Sequence, residues 1–238
     1  MDAYGKYAPF YDDTQSSSGD ASYLRLLKKH HPDAETLLEL ACGTGANLLS
    51  LSKFYTVSGL DSSPAMLRIA RKKVPGVKLY LQDMSSFRIK GKFDAIIIPY
   101  DSVNHVRRFS DWVRIFRGAK RHLNRGGLFA FDANTPHRLR TLVGAEPFVT
   151  TFGRGYMIMN IFDAGRGVTE WDIKVFERVQ GNQYQLHHQV IQEVAFDHRR
   201  IVAALRGVFP KVKTYDGNGR HRLTRSSGRI FYVCRNAA

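Results

Sequence analysis

Cysteine is scarce: Cys42 and Cys234 are the only two in 238 residues. Two thiols cannot build a multi-disulfide scaffold or a four-cysteine zinc site. Long apolar runs are missing too. None approaches the roughly 20 residues a membrane-crossing helix requires, so no membrane partner is expected. The first residues, MDAYGKYAPFYDD, lack the basic and apolar regions of a secretory signal. Together these absences point to a cytoplasmic protein. No internal repeat is evident. Acids are also in short supply: 21 Asp and Glu face 36 Lys and Arg, a formal net charge of +15. Residues 199–238 hold ten basic residues and one acid, Asp216. A nucleic acid or an acidic substrate is one explanation of that excess. The basic residues are scattered rather than run together, and a merely basic surface explains them as well.

What is present is an alternation of strand and helix. With 43% hydrophobic residues the chain can bury one sizeable domain, or one domain plus an insertion. Residues 15–22 (QSSSGDAS) read as a loop or hinge, and 23–30 as a helix stopped by His31-Pro32. Short apolar runs at 35–40, 55–60, 77–81, 93–99 and 128–132 read as strands. Helices are expected at 46–54, at 63–73 with Ser63 as N-cap and Pro64 in the first turn, and at 109–123, ended by Asn124-Arg125-Gly126-Gly127. This order predicts an α/β fold, a Rossmann-like, doubly wound, mostly parallel sheet. From 148 to 196 helical periodicity disappears. Three alternating segments separated by glycine turns predict a small antiparallel β insertion. A helix at 199–209 and two closing strands follow. The expected division is a ligand-binding domain of residues 1–140 and 198–238, with the insertion at 141–197 as a substrate cap or dimer surface. Tyr4, Tyr7 and Tyr11 are spaced to share one helical face.

The loop after the first strand, Gly43-Thr44-Gly45, admits close approach of a ligand to the backbone, but it lacks two things. No Lys follows, which disfavours a triphosphate. Leu48 stands where a dinucleotide fingerprint needs a third small residue, which disfavours NAD or FAD. Asp61, at the end of the second strand, can reach a ribose diol, and Glu39 can supply negative charge to a cationic tail. A ligand of the adenosine type with a phosphate-free tail satisfies both.

Glu39-Leu40-Ala41-Cys42-Gly43-Thr44-Gly45, Asp61-Ser62-Ser63-Pro64-Ala65-Met66-Leu67 and Gln82-Asp83-Met84 resemble the class I S-adenosylmethionine-dependent methyltransferases. The insertion and the aromatic N-terminus are similar, more narrowly, to small bacterial enzymes related to the nucleotide-sugar amine N-methyltransferases. The resemblance implies S-adenosylmethionine as cofactor, with Gly43 and Gly45 at its methionine part and Asp61 on both ribose hydroxyls. Ser62 and Met66 would flank adenine and ribose, Asp83 would accept from the adenine amino group, and Met84 would stack nearby. Glu39, Ala41, Gln82 and Tyr100 complete the expected cofactor set. Tyr11, with Tyr7, would close over the cofactor as a lid, and Tyr11 also counts as a catalytic candidate.

The acceptor should approach the carboxyl ends of the strands, near 99–105 and 132–138. Methyl transfer is an in-line displacement helped mainly by positioning, with a base needed only for a protonated acceptor. His105 has the ordinary pKa for that base, and the resemblance places a His in this loop. Asp132 or Asn134 would orient an amine or hydroxyl. His187, His188 and Glu193 are too loosely spaced for a metal site, and none is expected. The preferred acceptor is a small molecule, on a monomer or homodimer. RNA or DNA ranks second: position 98–101 lacks the Asp/Asn-Pro-Pro-aromatic loop of base-amine methylation, and neither cysteine is placed for carbon-5 chemistry. Cofactor binding without catalysis is the third reading, and a dehydrogenase, disfavoured by Leu48, the last.

Overall fold

The computed structural model describes residues 4–15, 20–217 and 222–237. Of the hinge expected at 15–22, residues 16–19 lie outside the described residues. Seven strands form the central sheet in the order β10-β11-β5-β4-β1-β2-β3. The parallel set is β1 (Thr36–Leu40), β2 (Thr56–Asp61), β3 (Lys78–Leu81), β4 (Phe93–Ile98) and β5 (Leu123–Asn134). β11 (Arg229–Arg235) pairs antiparallel with β5 and with β10 (Lys211–Asp216). The chain leaves β1 toward β2 and returns to its other side with β4, so the loops after β1 and β4 diverge. That crevice is where ligands bind in open α/β sheets.

Side-chain alternation along the strands divides the core into two layers. Leu38, Leu40, Ile96, Ile98, Phe129 and Phe131 pack with Trp112 and Phe116 of α5 (Phe109–His122) and Leu205 of α7 (His198–Arg206). Leu37, Ala95, Ile97 and Ala130 face the other way, against α2 (Asp20–His30), α3 (Ala46–Leu51) and α4 (Pro64–Lys73). Ser63 caps α4 by accepting from the Met66 N–H, as the Ser-Pro pair predicts.

Leu48, the residue that breaks the dinucleotide fingerprint, is fully buried on α3. The close approach that a third glycine would supply comes from the strand instead. A Cβ on Gly59 of β2 would lie 2.6 Å from Leu48 Cδ1 and 2.8 Å from Cys42 Sγ.

Several expected boundaries differ. β5 begins at Leu123, directly after α5, rather than after the Asn124–Gly127 turn. The reason is long-range: Gly126 N–H donates to the Ala237 carbonyl (2.6 Å) and Asn236 N–H to that of Gly127 (2.9 Å), which draws the turn into the sheet. α3 stops at Leu51 and α7 at Arg206. A helix not anticipated, α6 (Pro136–Leu142), is capped by Thr135 Oγ1.

The N-terminal tyrosines do not share one helix. A turn at 4–7 leads to a 3-10 turn (Ala8–Phe10) and a four-residue α1 (Tyr11–Thr14). Pro9 lacks an N–H and interrupts the helix the spacing alone predicts. The rings still meet, with centroids 5.7–6.5 Å apart.

The inserted sheet has four strands rather than three: β6 (Phe148–Phe152), β7 (Gly155–Asp163), β8 (Val168–Gln180) and β9 (Gln183–Val194), all antiparallel. Its inner face, with Met157, Ile173, Val175 and Ile191, buries Tyr7 and Phe10. The N-terminal segment is therefore held between this sheet and the crevice. His187 and His188 point to opposite faces: His187 Nε2 lies 3.0 Å from Glu177 Oε2, and His188 pairs with Asp172.

Candidate active site

Two cavities of about 630 and 730 Å³ meet over the glycine loop, sharing Tyr11, Ala41, Gly43 and Ser102. The first takes Asp61, Ser62 and Met66 from the end of β2 and the start of α4, and Asp83 and Met84 from the loop after β3. His105 lies on its far wall, beside Gln192 of the inserted sheet. The second takes Glu39, Asn47 and Tyr100, with Asp132 and Arg229 behind them.

The loop geometry separates the two glycines. Gly43 has φ +53°, and a Cβ there would meet nothing within 4 Å, so its face is open to the cavities. Gly45 has φ +77°, and its Cβ would lie 3.2 Å from Ala70 Cβ. It lines neither cavity. Gly45 serves the packing of α4 against the loop, not approach to a ligand. Ala41 also has positive φ, +57°, a strained value for a residue with a Cβ.

Asp61 accepts from Gly43 N–H through Oδ2 and from Ser63 N–H through Oδ1, both at 2.8 Å. The carboxylate is thus fixed at the crevice edge. Glu39 is 1% exposed and accepts from Asn47 Nδ2 at 3.0 Å. Asn47 Oδ1 is buried with no partner among the described residues. An orphaned acceptor beside a carboxylate is a site for a cationic donor such as an α-ammonium group. The open Gly43 face, the fixed Asp61 and this acceptor fit S-adenosylmethionine, adenosine in the first cavity and amino-acid tail in the second.

Gln82 is placed otherwise than expected. It lines neither cavity, and its amide is engaged by the backbone of Arg88: Oε1 accepts the Arg88 N–H at 2.8 Å, and Nε2 donates to the Arg88 carbonyl at 3.2 Å. Tyr7 turns away from the cavities, and its hydroxyl bonds Thr14 Oγ1 at 2.6 Å. Tyr11 lines both cavities. Its short helix is tied to the glycine loop, because Asp12 accepts from Thr44 Oγ1 at 2.6 Å and pairs with Lys73.

At the acceptor end, His105 Nδ1 lies 3.2 Å from the Gln192 carbonyl oxygen and Nε2 lies 2.9 Å from Tyr4 Oη. A carbonyl only accepts, so Nδ1 carries the proton and Nε2 accepts from the tyrosine hydroxyl. Burial pushes the His105 pKa below its ordinary value, against the pull of Asp101. The imidazole is neutral at pH 7. Burial raises the pKa of Tyr4 and of Tyr11, which keeps both phenols protonated.

Beneath this wall lies a buried polar cluster that sequence reasoning mostly missed. Tyr100 and Asp101 both have positive φ, +57° and +52°. Asp132 holds them there by accepting both backbone N–H groups, at 2.8 and 2.9 Å, and also pairs with Arg229. Arg229 reaches Asp101 at 2.9 Å, and Asn134 Nδ2 donates to Asp101 and to Glu193 of the inserted sheet. Burial pushes Asp101 and Glu193 each up to about 7. Asp132 and Asn134, expected to orient an acceptor, instead fix this loop. Arg229 carried no motif that could have marked it. Tyr4 was visible only by its spacing from Tyr7 and Tyr11.

Residues 37–127 match the model of a methyltransferase domain family. A putative methyltransferase of Bacillus subtilis, YqeM, is 31% identical over 57% of each chain. The dTDP-4-amino-2,3,4,6-tetradeoxy-D-glucose N,N-dimethyltransferase of Saccharopolyspora spinosa is 33% identical over 53% of each. The chain thus spans little more than half the length of these curated relatives. A solved S-adenosylmethionine-dependent methyltransferase from Clostridium acetobutylicum superposes over 99% of this chain and 96% of its own, with TM-score 0.83 and 23% identity. Residues 37–127 thus match a methyltransferase domain, and with the glycine loop, Asp61 and the sheet order in place the chain is similar to the class I S-adenosylmethionine-dependent methyltransferases. Among these, the nucleotide-linked amino-sugar N,N-dimethyltransferases it matches are 33–36% identical over about half of their length.

Proposed function

We propose that this chain transfers a methyl group from S-adenosylmethionine to the amine of a small, sugar-like acceptor, a nucleotide-linked amino sugar being the first to test. The observation that carries the reading is the His105–Tyr4 pair, set in the same cavity as Asp61 and Asp83. S-adenosylmethionine, when bound, supplies a methyl group already activated on a sulfonium. Asp61 would hold the ribose diol, with Ser62 and Met66 beside it, Asp83 the adenine amino group and Met84 the adenine face. Glu39 and Asn47 would hold the ammonium end, while Ala41, Gly43 and Tyr100 border the tail. Tyr11 covers the junction of the two cavities and excludes water from it.

An amine at neutral pH is protonated and must lose that proton before it can act as a nucleophile. The Tyr4 hydroxyl takes it up while passing its own to His105 Nε2, so the charge ends on the imidazolium, near Asp101. The relay uses the neutral tautomer that the Gln192 carbonyl selects. The inserted sheet supplies Gln192 and serves as the acceptor's cap. Among the described Lys and Arg of the stretch 199–238, Arg229 alone lines either of these two cavities, and it is bound to Asp101 and Asp132. The charge excess therefore lends no weight to a nucleic-acid acceptor at this site. No helix among the described residues is long and apolar enough to cross a membrane, and the two free, buried cysteines suit a reducing cytoplasm.

The test is direct. The chain is incubated with S-adenosylmethionine and separate panels of nucleotide-linked amino sugars, the matching hydroxy sugars, and short RNAs. S-adenosylhomocysteine and the acceptor's mass are followed. Methylation of amino sugars alone is expected. Methylation of RNA alone, or cofactor binding with no turnover on any panel, rejects the proposal.

A further inference from the structure

A third cavity, of about 280 Å³, lies on the outer side of α5, behind the loop that follows β3. Arg114, Arg117 and Arg121 line it from the helix, and Ser85, Ser86 and Arg88 from the loop. The three helical arginines recur at spacings of three and four and so stand on one face. Arg114 pairs with Asp111. Among the described residues, Arg88, Arg117 and Arg121 have no carboxylate within ion-pair distance. Cations in the last turn complement the helix dipole, which accounts for Arg121. It does not account for Arg117 in the helix interior or for Arg88 on the facing loop. Like charges at these spacings destabilise a helix unless an anion answers them.

The cavity has a rigid floor. Phe87 is 3% exposed and packs on Gly118, where a Cβ would come within 2.9 Å of the ring. Phe87 also stacks on His122, whose Nδ1 donates to the Gly118 carbonyl at 2.8 Å and whose Nε2 accepts the Ile89 N–H at 3.3 Å. The Gln82 side chain clamps the Arg88 backbone from the other side. A residue expected at the cofactor thus shapes a different site.

We propose that this cleft binds a small phosphorylated ligand of the diphosphate or triphosphate class. Guanidinium forks match phosphate oxygens bidentately, and the two serine hydroxyls add neutral donors. The bounded volume suits a small anion. A single-stranded nucleic acid would need an aromatic platform at the surface, and the one aromatic ring lining this cleft is buried as its floor. Asp83 and Ser85 belong to one turn, with Ser85 N–H donating to Asp83 Oδ1 at 2.6 Å, so the ligand would touch the loop that borders the cofactor cavity from behind.

Calorimetry with inorganic pyrophosphate tests this, on the full chain with S-adenosylhomocysteine saturating. One saturable site is expected. Arg117→Ala with Arg121→Ala should weaken it about tenfold or more, since two charge-assisted contacts to the anion are lost. A charge-matched control, Lys211→Ala with Lys213→Ala on the edge strand β10, should leave it within about twofold, because those charges are remote and screened. Gln82→Ala should weaken pyrophosphate and spare S-adenosylhomocysteine. Thermal melts of each variant without ligand establish that it folds. Absent saturation, or equal weakening by both double variants, overturns the proposal. So does a short oligouridine that binds with a steep salt dependence and is not displaced by pyrophosphate, which would assign the patch to nucleic acid.

Discussion

Asp61 is held by two backbone N–H groups before any ligand arrives, so its contribution to binding is preorganised. Asp61→Ala removes both contacts to a ribose diol, and at about 1.5–3 kcal/mol per hydrogen bond to a charged group the expected loss is at least about a hundredfold in S-adenosylhomocysteine affinity. Calorimetry checks it, and unchanged affinity refutes the role. His105→Ala should act on a different quantity. Turnover is expected to fall about a hundredfold, within the range for general acid–base groups, while cofactor affinity moves less than about twofold. Equal losses in both would make His105 structural. The positions of Asp61, Gly43 and His105 on the first cavity were legible in the sequence because Asp61 ends β2 and the other two stand in the loops that follow β1 and β4, where the fold determines their surroundings. Gly45 and Gln82 were not, because the motif does not reveal which member faces the ligand. A positive φ with Ala70 behind it gives Gly45 a packing role, and the Arg88 backbone, six residues on, takes up Gln82.

The N-terminal segment is an element made by its neighbours rather than by its own periodicity. The spacing of its three tyrosines predicts one helical stripe, but Pro9 divides the segment and the inserted sheet reassembles it. α1 touches the cofactor loop through Asp12, which meets Thr44 and Lys73. Asp12 is 41% exposed, and such pairs contribute roughly 0–1 kcal/mol. Asp12→Ala should therefore raise the cofactor's dissociation rate about two- to fivefold with little change in melting temperature. Stopped-flow displacement measures the rate, and an unchanged rate would remove α1 from the lid. Gly59→Ala tests a deeper contact. Its methyl would overlap Leu48 and Cys42, and overpacking of this kind costs about 1–3 kcal/mol of stability, read by urea unfolding. The strands and helices of the α/β part were legible from period and caps. α6 is legible in the same way, since Thr135-Pro136 is the same cap signature as Ser63-Pro64. The start of β5 was not legible, since it depends on the 236–237 backbone more than a hundred residues away.

At the scale of the whole molecule, the buried cluster of Asp101, Asn134, Glu193 and Arg229 joins the inserted sheet to the central one. Asp101 and Glu193 are both pushed up to about 7 by burial, above the roughly 4 of an unfolded chain. Between those values the folded chain holds protons that the unfolded chain has released. The contribution of each carboxyl is full at low pH and is lost as pH rises through about 7. His30, His31, His105 and His198 are shifted in the opposite sense, downward, by burial. The unfolded chain takes up their protons first as pH falls below about 6.5, so their contribution is lost toward acid. The two slopes oppose each other in any melting curve of the unmodified chain, and a substitution is needed to separate them. Glu193→Gln keeps the shape and the acceptor that Asn134 uses but cannot ionise. Its melting temperature relative to the unmodified chain should become more favourable from about pH 5 to about pH 8, since only the unmodified chain must expose or tolerate a buried charge as pH rises. Differential scanning calorimetry across that range decides it. A difference that stays flat would mean that Glu193 is already ionised throughout, and that Arg229 and Asn134 together outweigh its burial.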